Sequence, residues 1–115
     1  MSYIPYGIKA CDTMKMARTW LETQGIDYQF HDYKSQGIDR AHLERWCSEH
    51  GWEVVLNRSG TTFRKLDEAS RQGLDQSRAI ELMLAQPSMI KRPVLELEGR
   101  SLVGFKPEQY AAALA

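Results

Sequence analysis

The sequence has few of the residues that form disulfide frameworks and metal sites. Its 115 residues include two cysteines, Cys11 and Cys47, and three histidines. Cysteines this far apart are typical of reduced thiols in a protein that is not exported, and the histidines share no metal-ligand spacing with them. No apolar run approaches the length of a membrane span, and no signal peptide opens the chain. We therefore expect a cytoplasmic protein with no metal and no membrane partner.

Net charge is also absent, because fifteen basic residues balance fifteen acidic ones. Proteins held to nucleic acid by electrostatics carry a basic excess, so we expect no direct nucleic-acid partner. The composition, 43% hydrophobic and 26% charged, is that of an ordinary globular domain. A chain of this length can bury a core without disulfides, and we expect residues 1–115 to form a single domain.

The most informative stretch is a short apolar strand followed by a cysteine and an amphipathic helix. Residues 3–8 are mostly apolar, and Met14, Ala17 and Leu21 then recur at helical spacing. Cys11 therefore lies just before, or in, the first turn of a helix. Unpaired N–H groups and the positive end of the helix dipole favour an anion there.

This position allows two interpretations of Cys11. Thiols at helix N-termini and beside cations ionise more readily than free cysteine does. Lys9 and Lys15 are near enough in sequence to help, whereas Asp12 opposes them. Free cysteines are, however, more often small buried apolar residues. Position alone leaves both the reactive and the packing interpretation open.

Secondary-structure signals divide the chain into an N-terminal part, a helical middle part and a C-terminal part. Cys47 lies on the apolar face of a middle helix, which favours packing over chemistry. The predicted elements after the first helix are a strand over 26–33, a polar loop over 34–38, a helix capped by Asp39 and running to about His50, a short apolar run over 52–56, a helix from about Thr62 to Ser70, an Asp75-capped helix to Gln86, strands over 94–97 and 101–103, and a closing helix from Pro107 through Leu114.

The order of these elements predicts an α/β fold, a thioredoxin-like βαβ–ββα mixed sheet. A helical insertion, about residues 39–88, separates the two halves. In that arrangement the proline before the third strand is cis and faces the cysteine at the first helix. Pro93 stands in that place.

Four stretches together resemble the ArsC-type arsenate reductase family, in its Spx/YffB-like branch. The resemblance covers nearly the whole chain. The stretches are Tyr6-Gly7-Ile8-Lys9-Ala10-Cys11-Asp12-Thr13, Leu56-Asn57-Arg58-Ser59-Gly60-Thr61-Thr62-Phe63-Arg64-Lys65-Leu66, Lys91-Arg92-Pro93-Val94 and Leu102-Val103-Gly104-Phe105.

The resemblance implies a nucleophilic Cys11 assisted by two arginines, Arg58 from the middle loop and Arg92 before the cis-proline. Guanidiniums stabilise a thiolate and offer paired donors to an oxyanion or to a carboxylate of glutathione. We expect the substrate- and glutathione-binding part of the site to include Asp12, Thr13, Pro93 and Lys106.

Three departures from the family pattern bear on the substrate. Arsenate reductases of this type carry a histidine four residues before the cysteine, where this chain has Gly7. Their third oxyanion arginine corresponds to Lys106, which lacks the planar fork. Spx regulators carry Cys-x-x-Cys, and here the second cysteine position is Met14. No local disulfide switch can form at this turn, so a redox cycle at Cys11 needs an external thiol such as glutathione, unless Cys47 swings in.

We therefore expect a glutathione-dependent thiol-disulfide reductase with a single nucleophilic cysteine. Glutathione would be the cosubstrate, with no bound cofactor, and the substrate would be a small-molecule or protein disulfide. Two alternatives remain open. One is glutathione-dependent arsenate reduction at the same cysteine, and the other is a non-catalytic, Spx-like regulator that acts by binding another protein.

Overall fold

The computed structural model describes residues 3–9 and 11–114. Ala10, part of the cysteine-turn motif, lies outside the described residues, as do residues 1, 2 and 115 of the expected single domain. The chain divides into two compact units. We call the part up to Asp32 together with the part from Arg92 onward the sheet unit, and Tyr33–Lys91 the helical unit. The single domain over residues 1–115 stays a prediction.

Twelve helices and strands, with one 3-10 turn, make up the described chain. In order they are β1 Ile4–Gly7, α1 Asp12–Thr23, β2 His31–Asp32, α2 Tyr33–Gln36, α3 Arg40–His50, α4 Trp52–Val55, α5 Thr61–Arg64, α6 Glu68–Arg71, α7 Gln76–Ala85, the 3-10 turn Pro87–Met89, β3 Val94–Leu97, β4 Arg100–Val103 and α8 Pro107–Leu114.

The sheet unit contains one four-stranded mixed sheet in the order β2-β1-β3-β4. The first two strands, β1 and β2, are parallel, as a strand-helix-strand connection requires. The hairpin strand β3 runs antiparallel to β1 and to β4. The predicted βαβ and ββα halves are therefore confirmed.

The core of the sheet unit forms between α1, β3 and α8. Its fully buried members are Ala17 and Leu21 from α1, Leu95 from β3 and Tyr110 from α8. The Tyr110 ring meets Trp20 and Phe105 edge-on, at centroid distances of 5.6 and 4.9 Å. Burial of the α1 stripe confirms its predicted helical periodicity and fixes which face of α1 points inward.

The predicted strand over 26–33 is wrong in extent. Only His31 and Asp32 pair with β1, and the following residues form α2 where a polar loop was expected. The alternation has another cause, because Ile26 and Tyr28 pack against the core cluster from a segment that has no regular secondary structure. An alternating pattern indicates that one side of a chain is buried, whether or not its main chain joins a sheet.

In the helical unit, α3 confirms the predicted helix and its cap. The Asp39 side chain accepts a hydrogen bond from the main-chain N–H of His42 at 2.9 Å. Leu43, Trp46 and Cys47 are buried on one face of this helix. The predicted burial of Cys47 on the apolar face of this helix is therefore confirmed.

The remaining middle segments are helical, but one predicted helix is divided into two short ones. The apolar run over 52–56 is the four-residue helix α4, followed by Leu56, which bridges to Ile90. The helix expected from Thr62 to Ser70 is two turns, α5 and α6. It breaks because Asp67 caps a new turn, accepting from the Ser70 N–H at 2.7 Å. The Asp75-capped helix α7 is confirmed, ending at Ala85.

Candidate active site around Cys11

Cys11 is the N-cap residue of α1. Its main chain is extended, with φ −82° and ψ 129°, as is usual for a residue that precedes a helix. The Cys11 N–H donates to the carbonyl of Ile8 at 3.2 Å, and the Cys11 carbonyl accepts from the N–H of Lys15 at 3.0 Å. The cysteine is half-buried, and its side chain makes no capping hydrogen bond. The thiol is therefore positioned at the helix start without being tied to the helix main chain.

The start of α1 supplies donors for an anion beside this thiol. Asp12 and Thr13 are its first two residues, and the first N–H groups of an α-helix have no partner within the helix. They form the positive end of a twelve-residue helix dipole. The exposed Asp12 carboxylate opposes negative charge there, so the attraction comes from the main chain.

Sheet register brings Pro93 to the end of β1 from which the cysteine turn leaves. Tyr6 pairs with Val94 across β1 and β3. The residues beyond that pair are Gly7, which leads into the cysteine turn, and Pro93. The Arg92–Pro93 peptide bond is cis, as predicted. Pro93 is buried and Arg92 half-buried.

Gly104 holds Pro93 from the other side, a contact that the sequence analysis missed. Val103 pairs with Val94, and the Gly104 N–H donates to the Pro93 carbonyl at 2.8 Å. The φ of Gly104 is +82°, a conformation that favours glycine. A glycine directly after a predicted strand was the available signal. Lys106, two residues further on, is exposed at the start of α8.

Arg58 belongs to the helical unit, in the loop between α4 and α5. It is exposed, and its guanidinium carbon lies 5.6 Å from the centroid of the Trp52 ring. The residues at one end of the sheet in the sheet unit are thus Cys11, Arg92, Pro93 and Lys106. The participation of Arg58 in the reaction stays a prediction from the resemblance.

Comparison with known proteins assigns the family. Residues 6–113 match the ArsC family. The chain belongs to the ArsC family. This confirms the resemblance predicted from the four sequence stretches.

Relatives of this ArsC-family chain include both regulators and proteins named for arsenate reduction. It is 29% identical to the global transcriptional regulator Spx of Streptococcus pyogenes, over 92% of this chain and 80% of the regulator. Its structure is similar to that of the YffB protein, with 74% identity, a TM-score of 0.97 and coverage of 98% and 99% of the two chains. An arsenate reductase (ArsC) related protein from Brucella melitensis is 60% identical, with a TM-score of 0.78 and coverage of 99% and 95%.

Among residues 3–9 and 11–114, no group of three or more His, Cys, Asp or Glu residues could hold a metal ion. Over the same residues, no helix has both the length and the apolar character that a membrane crossing needs.

Proposed function

We propose that this protein is a glutathione-dependent thiol-disulfide reductase in which Cys11 is the single nucleophile. One observation carries the proposal: Cys11 is the half-buried N-cap of α1, at the sheet end where the cis-proline Pro93 directly precedes β3. A helix N-terminus stabilises negative charge on an adjacent sulfur.

The proposed reaction has two exchange steps. The Cys11 thiolate attacks one sulfur of a disulfide, forming a mixed disulfide and releasing the other sulfur as a thiolate. The thiolate of glutathione then attacks the substrate sulfur of that mixed disulfide and releases Cys11. Each step breaks one S–S bond and forms one, so the disulfide passes from the substrate to a glutathione adduct without an added oxidant.

The chain offers cationic groups for the anions in these steps. We assign Arg92 and Lys106 of the sheet unit to the thiolate and the incoming glutathione, with the main-chain N–H groups of Asp12 and Thr13. Arg58 is assigned to the same anion on the family resemblance.

The choice of an external thiol follows from the second cysteine. Burial raises the pKa of the Cys47 thiol to about 11, and the Glu53 carboxylate adds to that shift. A neutral, buried thiol is a poor attacking group. Met14 stands where a local resolving cysteine would be needed. We therefore assign to glutathione the step that resolves the mixed disulfide and releases Cys11.

The test is turnover of a model disulfide with glutathione in variants of the two cysteines. Cys11→Ser should abolish turnover, whereas Cys47→Ser should leave it within about twofold of the wild type, because a buried structural thiol is chemically inert. Equal loss in both variants would point to a two-cysteine cycle and contradict the proposal.

A second candidate is arsenate reduction at Cys11, which the Brucella relative's description favours. Against it, Gly7 and Lys106 replace groups expected in arsenate reductases. Turnover of arsenate well above that of a model disulfide, at equal glutathione, would select this candidate.

A third candidate is a non-catalytic regulator, which the similarity to Spx favours. In that case Cys11 would form no glutathione adduct, and no turnover of either substrate would depend on it. The same assays therefore separate all three functions.

A further inference from the structure

The loop that carries Arg58 is held at its entry by main-chain hydrogen bonds within the helical unit. The Asn57 N–H donates to the Met89 carbonyl at 2.7 Å, and the Lys91 N–H donates to the Val55 carbonyl at 2.8 Å. The bridge between Leu56 and Ile90 lies between these two bonds. The residue immediately before Arg58 is thus fixed.

The same loop is closed on itself around Gly60. The Ser59 hydroxyl donates to the Asn57 side-chain oxygen at 3.0 Å. A Cβ at Gly60 would lie 2.8 Å from the Asn57 side-chain nitrogen, so the Asn57 side chain fills the space above this glycine. The loop over 57–60 is therefore compact.

Arg64, on α5, holds the exit of the loop. Its Nε and Nη2 atoms both donate to the carbonyl oxygen of Ser59, at 2.9 and 2.6 Å. Arg64 is itself exposed, and the hydrogen bonds of its side chain in the described part of the chain all go to this one oxygen. A guanidinium fork on this carbonyl fixes the Ser59–Gly60 peptide, which begins one residue after Arg58.

The Arg58 side chain is placed by a different contact. Its guanidinium lies over the Trp52 ring at 5.6 Å, a cation–π distance. Within the described residues it makes no hydrogen bond or ion pair. A stacked guanidinium keeps its N–H edges available to an anionic ligand, and a preorganised donor loses less entropy when that ligand binds.

From these contacts we propose that Arg64 is a positioning residue, which holds the 57–60 loop through the Ser59 carbonyl so that Arg58 is presented to an anionic substrate group. The proposal rests on the proposed function, since it takes the anion to be a carboxylate of glutathione. Two of the five Arg64 N–H donors are used on the Ser59 carbonyl, and we assign the anion to Arg58 because no such contact with the residues that the structure describes occupies its donors.

The test compares two disulfides that react with Cys11 by the same exchange. Oxidised glutathione carries carboxylates, and bis(2-hydroxyethyl) disulfide is uncharged. Each reaction breaks the reagent's S–S bond, forms one S–S bond to Cys11 and releases one thiolate. The second-order rate of adduct formation is measured by mass spectrometry for the wild type, Arg58→Ala, Arg64→Ala and the double variant.

Arg58→Ala should slow the reaction with oxidised glutathione about tenfold, the order expected for a lost charge-assisted contact. Arg64→Ala should slow it several-fold, and the double variant should be no slower than Arg58→Ala alone, because Arg64 acts through Arg58. The rate with the uncharged disulfide should not change. Arg64→Lys should recover part of the rate, and Arg40→Ala, which removes an exposed arginine elsewhere in the helical unit, should change neither rate.

Two results overturn the positioning role while leaving the proposed function intact. One is an unchanged rate with oxidised glutathione in Arg64→Ala, and the other is independent, additive losses in the double variant. A structural defect would slow both disulfides equally, and this result also contradicts the proposal. If wild-type Cys11 reacts with neither disulfide, the proposed function itself fails. Hydrogen exchange then tests whether Arg64 holds the 57–60 loop. Unchanged exchange of the main-chain N–H groups over 57–60 in Arg64→Ala overturns that role as well.

Discussion

Gly7 and Met14 are in direct contact across the cysteine turn. A Cβ added to Gly7 would lie 2.5 Å from the sulfur of Met14 and 3.4 Å from its Cγ. Met14 is fully buried, so its side chain has little room to move away. Gly7, which departs from the arsenate reductase pattern, and Met14, which departs from the Spx Cys-x-x-Cys pattern, are thus coupled by packing. The Met14 side chain occupies the space that any side chain at position 7 would need.

Gly7→Ala should therefore destabilise the protein by about 1–3 kcal/mol, the usual cost of overpacking a core. Met14→Ala alone should cost about 2–5 kcal/mol through the cavity that it leaves. The double variant should cost less than the two changes added together, because each relieves the other. Urea unfolding measures all three. Strict additivity would mean that the two positions do not compete for space.

The two cysteines should differ sharply in reactivity. With its pKa raised to about 11 by burial, Cys47 is about one part in a thousand thiolate at pH 8. Iodoacetamide should therefore modify Cys11 and spare Cys47 in the native protein, and modify both in guanidinium chloride. Peptide mass analysis assigns the sites. Rapid native labelling of Cys47 would contradict its assignment as a packing residue.

The raised pKa of Cys47 also has a consequence for stability at high pH. A group whose pKa is higher in the folded state stabilises the fold below its unfolded pKa, and this contribution is lost as pH rises toward the folded value. The free energy of unfolding should thus fall between about pH 9 and pH 11. Cys47→Ala should reduce that slope, whereas Cys11→Ala serves as the control for loss of a thiol.

Tyr110 should tolerate the loss of its hydroxyl. Its side chain is fully buried, the hydroxyl has no hydrogen-bond partner within residues 3–9 and 11–114, and burial raises the pKa of the phenol. An unpartnered buried polar group costs stability, so Tyr110→Phe should be neutral or stabilising by about 1 kcal/mol.

Tyr6→Phe is the matched control for Tyr110→Phe, because the Tyr6 hydroxyl donates to a Glu96 carboxylate oxygen at 3.0 Å. This change should destabilise by about 1 kcal/mol. Urea unfolding distinguishes the pair. A clear loss of stability in Tyr110→Phe would show that its hydroxyl has a partner after all.

The cap of α3 should make stability depend on acid pH. The pKa of Asp39 is lowered, first by the main-chain hydrogen bond from His42 and then by the His42 side chain, 2.5 Å away. A lowered pKa means that the carboxylate stabilises the fold above its unfolded pKa, and that this contribution is lost as pH falls through the folded value.

The test of this cap uses two substitutions of Asp39. Asp39→Ala should cost about 1 kcal/mol at neutral pH. Asp39→Asn keeps an acceptor without the titration, so its unfolding free energy should vary less with pH below about 4. Asp39→Asn with the same acid dependence as the wild type would contradict this role.

The sequence predicted best those elements with strong local signals. Pro107 at the first position of α8, the Asp39 cap and the hairpin over 94–103 each depend on a few neighbouring residues, and all are confirmed. The strand over 26–33 depended on alternation alone. Alternation reports burial rather than pairing, and two residues of that stretch joined the sheet.

The candidate site was predictable as far as topology determines it. The positions of Cys11, Pro93 and Lys106 follow from the order of the elements once β1 and β3 pair. The contribution of Gly104 depends on a main-chain hydrogen bond, and that of Arg64 on a fork to a carbonyl five residues earlier. Neither contact leaves a periodic or motif signal, since both depend on how a loop closes in three dimensions.

The proposed reaction requires that Cys11 forms a reversible disulfide with glutathione. The most direct measurement exposes the wild-type protein to oxidised glutathione, locates the adduct by peptide mass analysis, and then follows its release by reduced glutathione. We predict one glutathione per chain, on Cys11, with Cys47 unmodified and the adduct removed by the reduced form. No adduct on Cys11, or an adduct that reduced glutathione does not remove, would contradict the account.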